Sequence, residues 1–282
     1  MRAARPLIGL ALSGGTARSV AHVGVIRALA ENNITVDRVA GTSGGAIAAV
    51  CLAAGMPVAR MEELANDLTW RKLAAIKIGR LGFASSKRIE LFLEKIFGDI
   101  QFGDLQIPCA VVATDLGNGA PAVFDHGAVP RAVRASCSLP QIFLPVEIGG
   151  KYYVDGGISQ YLPVQTVRSL GADFVIAVNL GTRSPKIKPP RHILEMTMQF
   201  IQIMADNNTG PSLAGADFVI TPDLSGFGSF DFDVSEKVIA KGHAVTNQTI
   251  PALKEALAKH QTLRHRIKSR LLARYWRGRP AP

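Results

Sequence analysis

The chain has 282 residues, 48% of them apolar and 19% charged, and Lys+Arg 32 against Asp+Glu 22 gives a net charge of +10. This supplies ample material for a buried core and excludes a chain that is disordered as a whole. No apolar run approaches the roughly 18–20 residues of a membrane-spanning helix, the best being Ala46–Met56.

In chain order, Arg2 and Arg5 followed by Leu7–Leu12 imitate a short signal peptide. The apolar part runs directly into Ser13-Gly14-Gly15 with no cleavage site, so it reads as a first core strand, and a cytoplasmic protein is expected. Val20, Val23, Ile26 and Ala30 give Ala17–Glu31 helical spacing. Val36–Ala40 is a second apolar run, ended by Gly41, and Gly45–Ala54 follows as a helix of small residues. No acid occurs from Arg71 to Arg88, where Arg71, Lys72, Lys77, Arg80, Lys87 and Arg88 accompany Trp70, Leu73, Ile76, Ile78, Leu81 and Phe83. A pair of surface helices, or a membrane-facing cap beside an active site, is expected there. Glu90–Phe97 is helical. Cys109–Ala113 is a third strand, closed by Thr114-Asp115 and a Gly-Asn-Gly turn. Val129–Ser136 starts a helix ahead of Pro140, and Tyr152–Val154 precedes Asp155-Gly156-Gly157. Phe174–Val178 and Phe218–Ile220 are further strands, and Ser184–Pro190 is a loop by composition. Strands alternating with helices predict an α/β fold, a three-layer sandwich with a mostly parallel central sheet. Ligand sites in such sheets lie at the carboxyl ends of strands, here the loops after Leu12, Ala40, Ala113 and Val154.

The charge is unevenly placed. After Glu255 there is no acid but eight cations (Lys259, Arg264, Arg266, Lys268, Arg270, Arg274, Arg277 and Arg279), so the rest of the chain sums to +2. Leu263, Ile267, Leu271 and Tyr275 recur every four residues among them, which predicts a helix with one apolar stripe. Two readings stand: a helix docked on its own domain with a solvated basic face, or an arm, residues 260–279, lying on anionic membrane at about 1 kcal/mol per cation. Nucleic acid is not expected, because aromatic residues do not interleave with the cations elsewhere. Three cysteines, Cys51, Cys109 and Cys137, are widely spaced and form neither a metal-ligand pattern nor a disulfide framework, consistent with a reducing compartment.

Gly41-Thr42-Ser43-Gly44-Gly45 fits G-x-S-x-G between a strand and a helix. A turn that tight needs small neighbours and projects Ser43 over the sheet edge as a nucleophile. The helix starting at Gly44 aims N–H groups at developing negative charge. The bland reading is a helix N-cap serine. Ser13-Gly14-Gly15-Thr16-Ala17-Arg18 is a second glycine turn whose N–H groups suit an oxyanion hole. It also reads as an ordinary strand–helix turn; a phosphate loop is disfavoured because neither G-x-G-x-x-G nor G-x-x-x-x-G-K-[ST] occurs. The nucleophile needs a base. None of the six histidines (His22, His126, His192, His243, His260, His265) has a flank that marks one. Asp115 and Asp155 both sit at strand ends; each is a candidate base or a turn aspartate bonding its own backbone.

Four ordered pieces resemble the patatin-like phospholipase family over about residues 7–180. They are Gly14-Gly15-x-x-Arg18 with Ala21-His22-x-Gly24-Val25, the Gly41–Gly45 elbow, Ala135-Ser136-Cys137-Ser138-Leu139-Pro140, and Asp155-Gly156-Gly157. The resemblance implies a dyad without histidine, Ser43 as nucleophile and Asp155 as base. It implies oxyanion donors at Gly14 and Gly15, with Thr16 and Gly44 beside them. Arg18, Gly41, Thr42, Gly45, Gly156 and Gly157 are motif positions. No metal and no cofactor is implied, and the substrate is an acyl-ester lipid, in a phospholipase A or lysophospholipase type of hydrolysis. On this reading residues 7–180 are the catalytic region, 181–258 complete the same α/β domain, and 259–282 form the basic arm, on a cytoplasmic protein peripheral to the membrane. The family's loop usually reads G-G-G-x-R-G, whereas Thr16 and Ser19 stand here. A positive φ at Thr16 would strain its β-branched side chain. Gln160 and Tyr161 precede Pro163 where the family often has asparagines, and Gln141 stands where glycine is common. The alternative is therefore a catalytically impaired relative acting as a membrane-surface binding or regulatory module.

Overall fold

The computed structural model describes residues 5–69, 75–79, 82–181, 189–190, 193–228 and 230–277. Its strands are β1 (Ile8–Leu12), β2 (Arg38–Thr42), β3 (Ala75–Gly79), β4 (Gly82–Ser85), β5 (Cys109–Asp115), β6 (Pro121–Phe124), β7 (Gln141–Phe143), β8 (Val146–Ile148), β9 (Lys151–Asp155), β10 (Phe174–Val178) and β11 (Phe218–Ile220). The helices are α1 (Ala21–Glu31), α2 (Gly44–Ala53), α3 (Val58–Asp67), α4 (Lys87–Phe97), α5 (Val129–Ser136), α6 (Gly157–Gln160), α7 (Val164–Ser169), α8 (Ile193–Ala214) and α9 (Ser235–Arg277).

The fold is the expected three-layer α/β sandwich. β11, β10, β1, β2 and β5 pair in parallel, and β9, β8 and β6 add antiparallel pairings. Side chains alternate across each strand, and here they sort by size. Leu10, Leu12, Val39, Val111, Phe174 and Ile176 point to one face, where they pack with α1, α2, α3, α4, α5 and α9. Ala11, Ala40, Ala110, Val175 and Ala177 point to the other, against α7 and α8. Burial on both faces is why these strands read as unbroken apolar runs.

The registers of β5 set the site. β2 pairs with Cys109–Val112 and β9 with Ala113–Asp115, while β6 pairs with Val111–Thr114. A strand has two edges, and β6 overlaps both of the others, so β2 and β9 share the edge opposite β6. They meet end to end: Thr42 lies opposite Val112 and Asp155 opposite Ala113.

α1 and α9 cross with almost no space between them. A Cβ on Gly24 would lie 2.0 Å from the Ile239 carbonyl oxygen, and one on Gly242 would lie 2.1 Å from that of Ala21. Only hydrogen fits at either point, so the long C-terminal helix is keyed to the helix that follows the glycine loop.

The expectation of surface helices from Arg71 to Arg88 is corrected. The segment holds β3 and β4, paired antiparallel, and β4 pairs in parallel with β7 on its other side; only from Lys87 is it helical. Ile76-Lys77-Ile78 alternates with period two and is β-branched, a strand signal that the cation count obscures. Trp70–Ala74, Arg80 and Leu81 lie outside the described residues, as do Ser184–Lys188 of the expected loop. α9 runs unbroken through the expected division at residue 259. The side chains of the basic arm from Leu263 onward, and residues 278–282 entirely, lie outside the described residues. Among the described residues no helix is long and apolar enough to cross a membrane. Cys51, Cys109 and Cys137 are buried free thiols.

Candidate active site

At the end of β2 the chain turns sharply into α2. Ser43 has φ 53 and ψ −127, a backbone conformation that non-glycine residues rarely adopt and that costs on the order of 1–3 kcal/mol. Its neighbours leave room for nothing larger: a Cβ on Gly41 would lie 2.3 Å from the Gly45 carbonyl, and one on Gly45 2.4 Å from that of Ser13. The strained turn is held from the side. The Ser43 N–H donates to Ser136 Oγ at 2.8 Å, and that hydroxyl donates to the Val112 carbonyl at 2.5 Å. The Thr42 hydroxyl donates to the Gln160 carbonyl at 2.9 Å.

Asp155 ends β9, 2% exposed. Ser43 Oγ donates to Asp155 Oδ2 at 2.7 Å, and the Gly157 N–H donates to Oδ1 at 2.8 Å. The backbone is fixed as well: the Asp155 N–H donates to the Ser138 carbonyl at 2.9 Å, and the Thr114 hydroxyl donates to the Asp155 carbonyl at 2.8 Å. Burial pushes the Asp155 carboxyl up to about 6, against the lowering effect of its two hydrogen bonds. Asp115, the other strand-end candidate, caps its own turn by accepting the Gly117 N–H at 2.8 Å and pairs with Lys151 at 3.4 Å. Of the two, Asp155 alone meets Ser43.

The loop after β1 forms the opposite wall. Gly14, Gly15, Thr16 and Arg18 line one pocket with Ser43, Asp155 and Gly157. The Gly14 N–H is engaged, donating to the Tyr161 carbonyl at 3.1 Å. Thr16 has φ 52, so the strain foreseen for a β-branched residue at this position is present. Ser19, the other departure, donates to the Thr16 carbonyl at 2.5 Å. Gly44 makes space for it, since a Cβ there would lie 2.2 Å from Ser19 Oγ. His22 is fully buried, and its Nε2–H donates to the Ser13 carbonyl at 2.8 Å. Burial pushes the ring down to about 4, so it is a neutral prop for the loop.

Of the other histidines, the three that are described do not line the pocket. His243 pairs with Glu31 at 2.6 Å, exposed His126 with Asp125 at 2.7 Å, and His260 stands edge-on to Phe174 at 5.4 Å. His192 and the side chain of His265 lie outside the described residues. Among the described residues no group of His, Cys, Asp or Glu is placed to hold a metal ion.

Four supporting residues carry no role in the sequence reading: Ser136, Thr114, Tyr161 and Asn208. Asn208 Oδ1 accepts the Tyr161 N–H at 2.8 Å, and its Nδ2 donates to the Gly157 and Ile158 carbonyls at 3.0 Å each. Ser136 stands inside a quoted motif, but nothing in the local sequence says that its hydroxyl faces another strand end. Asn208 lies mid-helix without any signal.

The patatin-like phospholipase family model matches residues 10–168. An uncharacterized NTE family protein of Mycobacterium bovis is 36% identical over 182 residues, which cover 62% of this chain and 49% of that one. Patatin-like phospholipase domain-containing protein 7 of Rattus norvegicus is 36% identical over 190 residues, covering 62% and 14%. A lysophospholipase nte1 of Aspergillus fumigatus is 26% identical over 279 residues, covering 88% and 18%. The chain thus spans half or less of the length of these relatives. Among solved structures, VipD from Legionella pneumophila is similar in fold, with a TM-score of 0.51 at 14% identity, covering 91% of this chain and 67% of that one.

Proposed function

The chain belongs to the patatin-like phospholipase family, and from that premise we propose that it is a serine hydrolase of acyl-ester lipids, with Ser43 as nucleophile and Asp155 as the base. The observation that carries this reading is the 2.7 Å hydrogen bond from Ser43 Oγ to a buried carboxylate. A carboxylate with its proton affinity raised to about 6 is ionised at neutral pH and is a stronger base than an exposed aspartate.

Asp155 takes the hydroxyl proton as Ser43 Oγ attacks the ester carbonyl carbon. The oxyanion is received by the N–H groups of Gly15, Thr16 and Gly44, with α2 pointing its N-terminus at the site. Gly14, whose N–H is engaged by Tyr161, holds the loop in place instead. Collapse of the intermediate breaks the bond to the alcohol, which leaves with the proton from Asp155. Water then gives a proton to Asp155 and attacks the acyl-serine, and the fatty acid departs as Ser43 regains its hydrogen. No step requires a metal or cofactor.

The alternative, an impaired surface module, rests on Thr16 and Ser19. The hydrogen bond between them and the space at Gly44 support an intact loop and hence the enzyme. A fluorophosphonate probe tests it: covalent labelling that disappears in Ser43→Ala is expected, and an unlabelled folded protein would refute it. The basic arm is proposed to rest on anionic membrane, with the protein cytoplasmic and peripheral. Removal of residues 260–282 is expected to reduce pelleting with phosphatidylserine vesicles, and equal pelleting would remove that proposal.

A further inference from the structure

Ser43 lines two cavities, one with the carboxylate and one without it. The pocket described above contains Asp155 together with Arg18, Tyr161 and Gln202. Ser43 also lines a groove that does not include Asp155 and is walled by Ile47, Leu68, Ile89, Phe143 and Phe232. That groove shares Ser19, Gly44, Ile47 and Leu68 with a second lobe, which follows α2 to Cys51, Met61 and Phe92. Among the described residues no charged side chain lines either lobe.

The chemistry of the dyad orients a substrate between them. The same carboxyl that accepts the serine proton must deliver it to the departing alcohol oxygen, so the leaving group faces Asp155. The acyl carbon's other substituent then points away from Asp155, into the apolar groove. Resting on the serine-hydrolase reading, we propose that this groove holds the acyl chain along α2, with the alcohol on the Asp155 side, and that it sets chain-length preference. From Ser43 to Cys51 the helix advances eight residues, about 12 Å. With C–C bonds of about 1.5 Å in zigzag, that length takes about ten carbons.

The test uses p-nitrophenyl esters with acyl chains from acetyl to palmitoyl, and acetate esters of straight-chain alcohols over the same lengths. In the wild type, kcat/KM is expected to rise about two- to fourfold per methylene up to about ten carbons of acyl chain and then to level off. Ile47→Trp, at the junction of the lobes, is expected to lower the decanoyl-to-acetyl ratio of kcat/KM at least tenfold without a matching fall in the alcohol series. Met61→Ala, at the far end, is expected to move the plateau to longer acyl chains, and it decides the matter if Ile47→Trp does not fold. Ratios unchanged in both variants, or a fall confined to the alcohol series, would overturn the assignment. If the wild type hydrolyses neither series, the hydrolase reading fails and the groove is judged by binding. Decanoate is then expected to raise the melting temperature of the wild type and not of Ile47→Trp, and no rise in the wild type overturns the groove as well.

Discussion

Replacing Asp155 by asparagine is expected to remove most of the turnover and at the same time to stabilise the fold at neutral pH. The carboxyl binds its proton at about 6 in the fold and at the ordinary 3.8 in the unfolded chain. Below 3.8 both states are protonated and the group is neutral to stability. As pH rises, the unfolded chain releases its proton first, so stability is lost progressively until the folded carboxyl also ionises near 6. At about 1.4 kcal/mol per pH unit, the loss amounts to about 3 kcal/mol. Asparagine carries no such penalty. It retains an oxygen for the Gly157 N–H, and its amide faces Ser43 Oγ, but it cannot take the proton, so kcat is expected to fall about a thousandfold. Urea unfolding of both proteins at pH 4, 5, 6 and 7.5 reads the difference. The two are expected to lie close at pH 4, with the variant gaining up to about 3 kcal/mol by pH 7.5. A difference in stability that is the same at pH 4 and 7.5 would refute the buried-charge argument, and a variant that hydrolyses esters at near wild-type rates would refute the assignment of the base.

Four further outcomes are expected. In a pH–rate series, kcat/KM of the wild type falls about tenfold per pH unit below about 6, as Asp155 takes up its proton; a profile flat from pH 7 to 4.5 contradicts this. Ser136→Ala strands the Ser43 N–H and the Val112 carbonyl, lowering stability by about 2 kcal/mol and kcat more than KM, as thermal melts and steady-state kinetics report. Thr16→Gly relieves the positive φ at Thr16 and raises stability by about 0.5–1 kcal/mol, to be read from the urea midpoint. Gly24→Ala drives a methyl into the Ile239 carbonyl and lowers stability by about 2–3 kcal/mol, or lowers soluble yield where the helices cannot part.

Much of the central sheet is legible because its strands are buried on both faces. Phe174–Val178 carries its boundaries in the apolar run itself, and the elbow carries its own punctuation in Gly41, Gly44 and Gly45. The peripheral strands are not legible in this way. Pro121–Phe124 alternates exposed and half-buried positions, Gln141–Phe143 and Val146–Ile148 are three residues each, and their pairing is decided by partners distant in sequence. In the segment from Ala75 to Ser85 the cations suggest a solvated helix, and only the period of two at Ile76 and Ile78 marks the strand. α8 carries no clear helical signal, because Met196, Phe200, Ile203 and Met204 are apolar on its exposed side, which blurs the single stripe that marks a surface helix. In the site, Ser43 and Asp155 announce themselves through the glycines that follow them. Asp115 and Asp155 both end strands, and the two glycines set Asp155 apart locally, but its contact with Ser43 comes from the pairing of β2 and β9 along β5. The hydroxyls of Ser136 and Thr114 act across strands, and no spacing rule connects them to the residues they hold.

The end-to-end meeting of β2 and β9 makes β5 a splint. It places no side chain in the pocket, yet Val112 and Ala113, consecutive on it, fix where Thr42 and Asp155 stop. The reach between Ser43 and Asp155 is thus one residue step on a third strand, and it is indifferent to how many residues the chain spends travelling from one to the other. Hairpins and turns along that route, such as Gly117–Gly119, are free to lengthen without disturbing the chemistry. One residue inserted between Val112 and Ala113 would instead slide the aspartate about 3.3 Å along the edge and turn it to the wrong face. The tolerance of this chain to insertion is therefore expected to be narrowest on a strand that lends the pocket no side chain.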